Sequence, residues 1–419
     1  MRLFLILVVS LLYVSSPAFA GGEKDGSGDG KPYPYTCKED DTPQFNDDGT
    51  VEAYDPAAVA LHHIGDANAW HFNLPIIGDF YVSLPVILYA KDAGPNVFMS
   101  GKFDIAKGGN GRKAIDRYIM YHGVIMRITD ESFPMGVVEL DCPAYKYKAI
   151  YQGMAYPAHD RSVLDGGVVA HGITTYYDFS ITKNVVTLIL TFAFLAWVFM
   201  SVAKSYKKYD MHAPKGFWQR IIEPIYLFMR DEVCKPVIGP KYEKHLPFIM
   251  SLFFFILALN LIGQIPFIGN PNVSGNISFT MALALFTLVI TSINGNRDYW
   301  QHIFNMPGVP GPVKIILTPI EVLGIFLKPI TLMVRLFANI TAGHIMILSA
   351  VGMIFIFGNI AENDWGMGYA TGGGVGLLVA SILTLFLSAI EVLVAFLQAF
   401  IFAVFSASYI GAAIEEHHH

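Results

Sequence analysis

The chain has 419 residues, 53% of them hydrophobic and 15% charged, with a formal net charge of −6 and a mean hydropathy of +0.46. A positive mean hydropathy puts a polytopic membrane protein first, and the acidic balance gives no reason to expect a nucleic-acid partner. Three cysteines are few, and their spacing matches no zinc or redox motif.

Residues 1–20, MRLFLILVVSLLYVSSPAFA, combine Arg2, an apolar stretch of about twelve residues and a small-residue Ala-Phe-Ala end, the pattern of a cleavable signal peptide; an uncleaved anchor is the other reading. Residues 21–182 are then expected to be exported. They open with a Gly, Asp and Lys-rich leader. Residues 56–71, PAAVALHHIGDANAWH, suggest a short amphipathic helix begun by Pro56. His62, His63 and His71 invite a metal reading, but no known ligand spacing fits them, and no metal or cofactor is expected.

From about residue 76 to 180, runs such as DFYVSLPVILY and RYIMYHGVIMRI are aromatic, β-branched and cut by Gly and Pro. They predict a small, mainly β insertion. Cys37 and Cys142 both fall in this exported part and are candidates for one disulfide, while Cys234 is expected to be a free thiol. Asp160 and His171 read as loop residues, not as a catalytic pair. A docking role outside the membrane is the expectation for the insertion.

Residues 184–203 form a clean first span. Between residues 204 and 245, nine Lys and Arg stand against five Asp and Glu, which puts this loop in the cytoplasm by the positive-inside rule. Within it GFWQRIIEPIYLFMRDEV reads either as a helix on the membrane surface or as a plain connecting helix. Span two (about 246–268) carries Asn260 and Gln264, as interhelical hydrogen bonders or as part of an outer water path. Span three covers about 277–294.

The last two apolar runs, from 318 and up to 414, each continue for about forty residues, or roughly 60 Å. That is twice the ~30 Å hydrocarbon thickness, so they must lie strongly tilted. A loop at 358–374 with Glu362, Asp364 and no basic residue joins them on the outside. The predicted fold is an all-α polytopic membrane protein of about five membrane helices ending in this long hairpin, plus the β insertion. Domain bounds are 1–20, 21–182, 183–414 and a polar tail 415–419.

Arg335, Asn339, His344, Glu391 and Gln398 lie inside those apolar runs, where polar groups usually mark an ion path. An antiparallel hairpin turning near Gly366 would set Arg335 level with Gln398 and His344 level with Glu391. Asn339 shares the face of Arg335, whereas His344 falls about 180° away. Thr331, Ala338 and Ala342 beside Arg335 are small and would admit another membrane helix.

The run RLFANITAGH (335–344), with LQAFIF (397–402), resembles subunit a of the F-type ATP synthase, in a bacterial form, over roughly residues 183–414. That resemblance implies a static subunit that is not catalytic alone. It would sit beside a rotating ring of c subunits, with peripheral-stalk b subunits, the catalytic head and the lipid bilayer as further partners. It implies Arg335 as the stator charge and Gln398 as its helix-to-helix partner. Asn339, His344 and Glu391 would line the outer proton path and Glu321 the cytoplasmic exit. Asn339 reads equally as packing, and Glu321 as an acid suited to a helix start. Several members of the family carry the acid where His344 stands and the histidine where Glu391 stands; here the two are exchanged. A bacterial inner-membrane location follows, with the amino-terminal region periplasmic and the carboxyl terminus cytoplasmic. Some other polytopic ion transporter or channel remains the alternative, although no internal repeat is visible.

Overall fold

The computed structural model describes residues 33–34, 65–74, 78–90, 93–106, 109–144, 147–159, 176–208, 216–265, 271–306, 309–363 and 369–415. The signal-peptide and leader residues, Cys37, His62, His63, Asp160, His171, Asp364 and the last four residues lie outside them.

Twelve short strands build the amino-terminal part: β1 (Tyr33–Pro34), β2 (Ala69–Leu74), β3 (Gly78–Ser83), β4 (Pro85–Ala90), β5 (Gly94–Met99), β6 (Lys113–Ile115), β7 (Tyr118–Tyr121), β8 (Val124–Ile128), β9 (Val137–Glu139), β10 (Lys148–Tyr151), β11 (Met154–His159) and β12 (Tyr177–Asp178). Hydrogen bonding orders them as β1-β11-β8-β7-β6-β9 with β10 also on β11, a second sheet β12-β4-β5, and the pair β2-β3. Three hairpins close through two-residue turns with both residues at positive φ: Asp116–Arg117, His122–Gly123 and Gln152–Gly153. Such primed turns match the twist of the strands they join.

The β7–β8 sheet is buried on both faces. Tyr118, Met120 and Ile125 enter one core with Val86, Leu88 and Phe98, while Ile119, Met126 and Ile128 enter a second with Phe133 and Ala149. The β structure starts earlier than the sequence pattern indicated. Ala69–His71, expected at the end of a helix, belong to β2, where Trp70 and Phe72 pair with Val82 and Phe80 across the strand. His71 stacks on Tyr81 at 4.7 Å. Cross-strand aromatic pairing outweighs the weak local helix signal there. Cys142 is disulfide-bonded, and Cys234 is free and buried.

The rest is helical: α1 (Lys183–Lys208), α2 (Phe217–Phe228), a π turn (Met229–Cys234), α3 (Lys235–Ile238), α4 (Tyr242–Gly263), α5 (Ile277–Asn294), α6 (Arg297–Phe304), α7 (Gly311–Asn363) and α8 (Tyr369–Ile414). Among the described residues, five helical stretches are long and apolar enough to cross a membrane. The helix α4 is apolar all round and buried along its length, from Leu246 to Leu259, which makes it the centre of the bundle. The last two helices are longer than the sequence reading, at 53 and 46 residues; at 1.5 Å per residue they reach about 80 and 70 Å. They are also the two spans least covered by the rest of the chain.

Candidate functional site

The helices α4, α7 and α8 converge where the chain buries its polar groups. On α7, Leu332, Leu336 and Ile340 are buried, and His344 continues that stripe at four-residue spacing. Thr331, Val334, Ala338, Asn339 and Ala342 are exposed, and Arg335 is half-buried beside them. The arginine and the histidine therefore serve different faces of one helix.

His344 meets Glu391 of α8 with Nδ1 3.7 Å from Oε1, the two side chains being 11% and 6% exposed. Oε1 of Glu391 is buried with no hydrogen-bond partner among the described residues. A glycine leaves room for the approach, and a second packs beside it. A Cβ on Gly343 would lie 3.1 Å from that same oxygen. A Cβ on Gly263 would lie 3.1 Å from the carbonyl oxygen of Pro271 and 4.0 Å from Nε2 of His344. Sequence reasoning passed over Gly343; its adjacency to His344 was the available signal.

Gln264 and Asn260 hold α4 against α8. The Gln264 side-chain amide donates to the main-chain carbonyl of Glu391 at 3.0 Å, and that of Asn260 donates to the carbonyl of Ala395 at 3.2 Å. Both are one helical turn apart on each helix. They are interhelical hydrogen bonders, the first of the two roles open to them.

The guanidinium of Arg335 lies over the ring of Phe405, 4.8 Å from its centroid. Among the described residues no hydrogen bond or salt bridge is found for it. Gln398 is buried but is not hydrogen-bonded to the arginine. The reason is directional. Side chains lean toward the amino terminus of their helix, which in this antiparallel hairpin is toward the carboxyl-terminal end of α8. A long side chain starting level with Gln398 thus ends beside Phe405.

Lys328 follows the same rule and lies 5.4 Å from the ring of Tyr409. Thr287, Thr291, Tyr299, Lys328 and Tyr409 line a small cavity among α5, α6, α7 and α8. The hydroxyl of Thr291 is buried there without a partner among the described residues. Burial, and then the charge of Glu321, hold the Tyr299 phenol above its ordinary range. Among the described residues no three His, Cys, Asp or Glu side chains gather as a metal site would require.

The fold and these buried polar groups define a polytopic helical membrane protein with titratable and fixed-charge residues at membrane depth. Residues 185–411 match the family described as ATP synthase A chain, and residues 59–139 match one described as Domain of unknown function (DUF8433). The chain is 38% identical over 248 residues to ATP synthase subunit a 2 of Prosthecochloris aestuarii, covering 58% of this chain and 71% of that protein. It is 38% identical over 247 residues to ATP synthase subunit a of Chloroherpeton thalassium, covering 58% and 69%. It is 37% identical over 248 residues to the Myxococcus xanthus subunit, covering 58% and 75%. The chain belongs to the ATP synthase A chain family.

Proposed function

We propose that this chain is the stator subunit that carries protons past the rotating c-ring of a bacterial F-type ATP synthase, through two offset half-channels. The observation that carries the reading is the unpaired cation. Arg335 cannot lose its proton, it borders an open, small-residue face, and no carboxylate of the described chain pairs with it. A fixed cation at membrane depth demands an anion, and a ring carboxylate arriving from outside the chain supplies one.

On this reading Arg335 favours the ionised form of each ring carboxylate that reaches it. The released proton leaves past Glu321, Tyr299 and Thr291, toward the cytoplasm. Reloading comes from the outside through His344 and Glu391, whose contact lets a proton pass between an imidazole and a carboxyl group. Asn339, on the ring-facing side, and Gln398 border the place of exchange. Rotation is directional because a carboxylate enters lipid only when neutral, and the cation blocks a direct leak between the two paths. The b subunits and the catalytic head complete the assembly, with the amino-terminal region on the periplasmic side.

Arg335→Ala tests this. ATP-driven proton pumping into inverted vesicles should be abolished while the complex stays assembled, as judged by co-purification of the ring. Retained pumping would overturn the assignment.

A further inference from the structure

The sheet β12-β4-β5 has two apolar faces, and the described residues cover only one of them. Val86, Leu88, Ala90 and Phe98 point into the core of the exported domain. On the other face the strands pair in three rungs. Met99 lies on the rung nearest α1, opposite Pro85. Phe179, Ile87 and Val97 form the next, and Tyr177 with Tyr89 the last. Val97 is 71% exposed and Phe179 50%, and Tyr89, Met99 and Tyr177 are exposed as well. Among the described residues, none of those on this face is charged. A sheet apolar on both sides is stable in water only if both sides are covered.

The position of this face names its cover. Ile181 N–H donates to the carbonyl of Pro85 at 3.0 Å and Phe179 N–H to that of Ile87 at 2.8 Å. The Ser180 hydroxyl accepts from the Ile87 N–H at 3.0 Å. Lys183 N–H donates to the carbonyl of Ala67 at 2.9 Å, and Asn184 N–H to the carboxylate of Asp66 at 3.2 Å. The segment entering the first span is thus zipped onto β4, with no slack linker between sheet and membrane helix. The three rungs occupy about 13 Å of strand, and the chain runs from them into α1 within a few residues. Their chemistry is graded as well, aliphatic and phenyl near the span and tyrosine farthest out, the order in which a bilayer interface selects side chains.

We propose that this face is a membrane-contact surface, seated in the headgroup layer of the outer leaflet beside α1, with phospholipid as its partner. The exported domain is then held down on the bilayer as well as tethered to it.

The test uses the assembled complex in phospholipid vesicles, carrying Val97→Cys labelled with an environment-sensitive fluorophore. The site is exposed, so the substitution leaves folding intact, and Cys234 is buried and Cys142 bonded. Shallow doxyl-labelled lipid should quench the emission, and aqueous iodide should not. Glu131→Cys, an exposed site away from this sheet, should give the reverse. Quenching at position 97 by iodide would overturn the proposal. So would protection from both quenchers, which would mean that protein covers the face. Met99→Cys, nearer the span, should be quenched by doxyl lipid more strongly than Val97→Cys; the opposite order would also overturn it.

Discussion

A carboxylate oxygen buried without a hydrogen bond is costly, and at Glu391 the neighbouring backbone is bare glycine where any other residue would crowd it. Gly343→Ala sets a methyl 3.1 Å from that oxygen, so the carboxylate must shift off its rotamer. Such a shift costs about 0.5–1.5 kcal/mol, which slows proton passage by up to about tenfold if it falls on the rate-limiting step. Passive proton conductance of vesicles stripped of the catalytic head would report it, with assembly unchanged. The contact itself is tested by exchange. His344→Glu and Glu391→His should each impair pumping, and the double variant should recover part of it. A double variant no better than either single change would show that the 3.7 Å contact is not the functional one.

How much of this was legible depended on side-chain length. The midpoint of the hairpin predicted the meeting of His344 with Glu391, because both side chains are short enough to stay near their backbone level. The same arithmetic set Arg335 beside Gln398, yet the guanidinium rests on Phe405. Backbone register says nothing about where four rotatable bonds end. Gly343 was illegible for a different reason: a glycine that permits close approach looks, in sequence, like any other.

At the scale of the element, α8 is built to be gripped. Ala395, Ala399, Ala403 and Ala407 are fully buried and recur every four residues, forming one stripe that lets α4 approach closely. Gly411 extends the stripe to α3, where a Cβ would lie 2.3 Å from the carbonyl oxygen of Val237. Ala403→Leu overfills this seam, at about 1–3 kcal/mol or more, and should lower the yield of assembled complex on native gels. Asn260→Leu keeps the volume and removes one interhelical hydrogen bond, worth about 0.6 and at most about 1.7 kcal/mol. It should lower the thermal midpoint slightly and leave proton flux intact. The five spans were legible as hydropathy runs; the early start of the β structure at Ala69 was not. Its pairing partner lies in β3, and nothing local to residues 69–71 announces that pairing.

In the molecule as a whole, hydrogen bonds join the β-rich amino-terminal part to the start of α1. Asp66 accepts from Asn184 at the first turn of α1 and stands near the ammonium group of Lys183, which is buried. Asp66→Ala removes the acceptor of the Asn184 N–H at the buried start of α1, a loss of about 1–3 kcal/mol where a buried donor is left unsatisfied. The segment 176–182 should then become sensitive to protease added on the outside, while the β core stays resistant. Breaking the bridge at Cys142 acts inside the domain instead. Cys142→Ser should destabilise it by about 2–5 kcal/mol, seen as a lower temperature of proteolytic loss.

The alanine seam also decides where force goes. A helix pushed sideways by a turning neighbour would bend if only side-chain tips braced it, because long side chains yield like springs. Here buried methyl groups, and at Gly411 bare backbone, face the neighbouring helices from Ala395 to Gly411. Thrust delivered to the outer flank of α8 therefore passes straight into α4 and the corner formed by α3, much as a keystone hands its load to the arch.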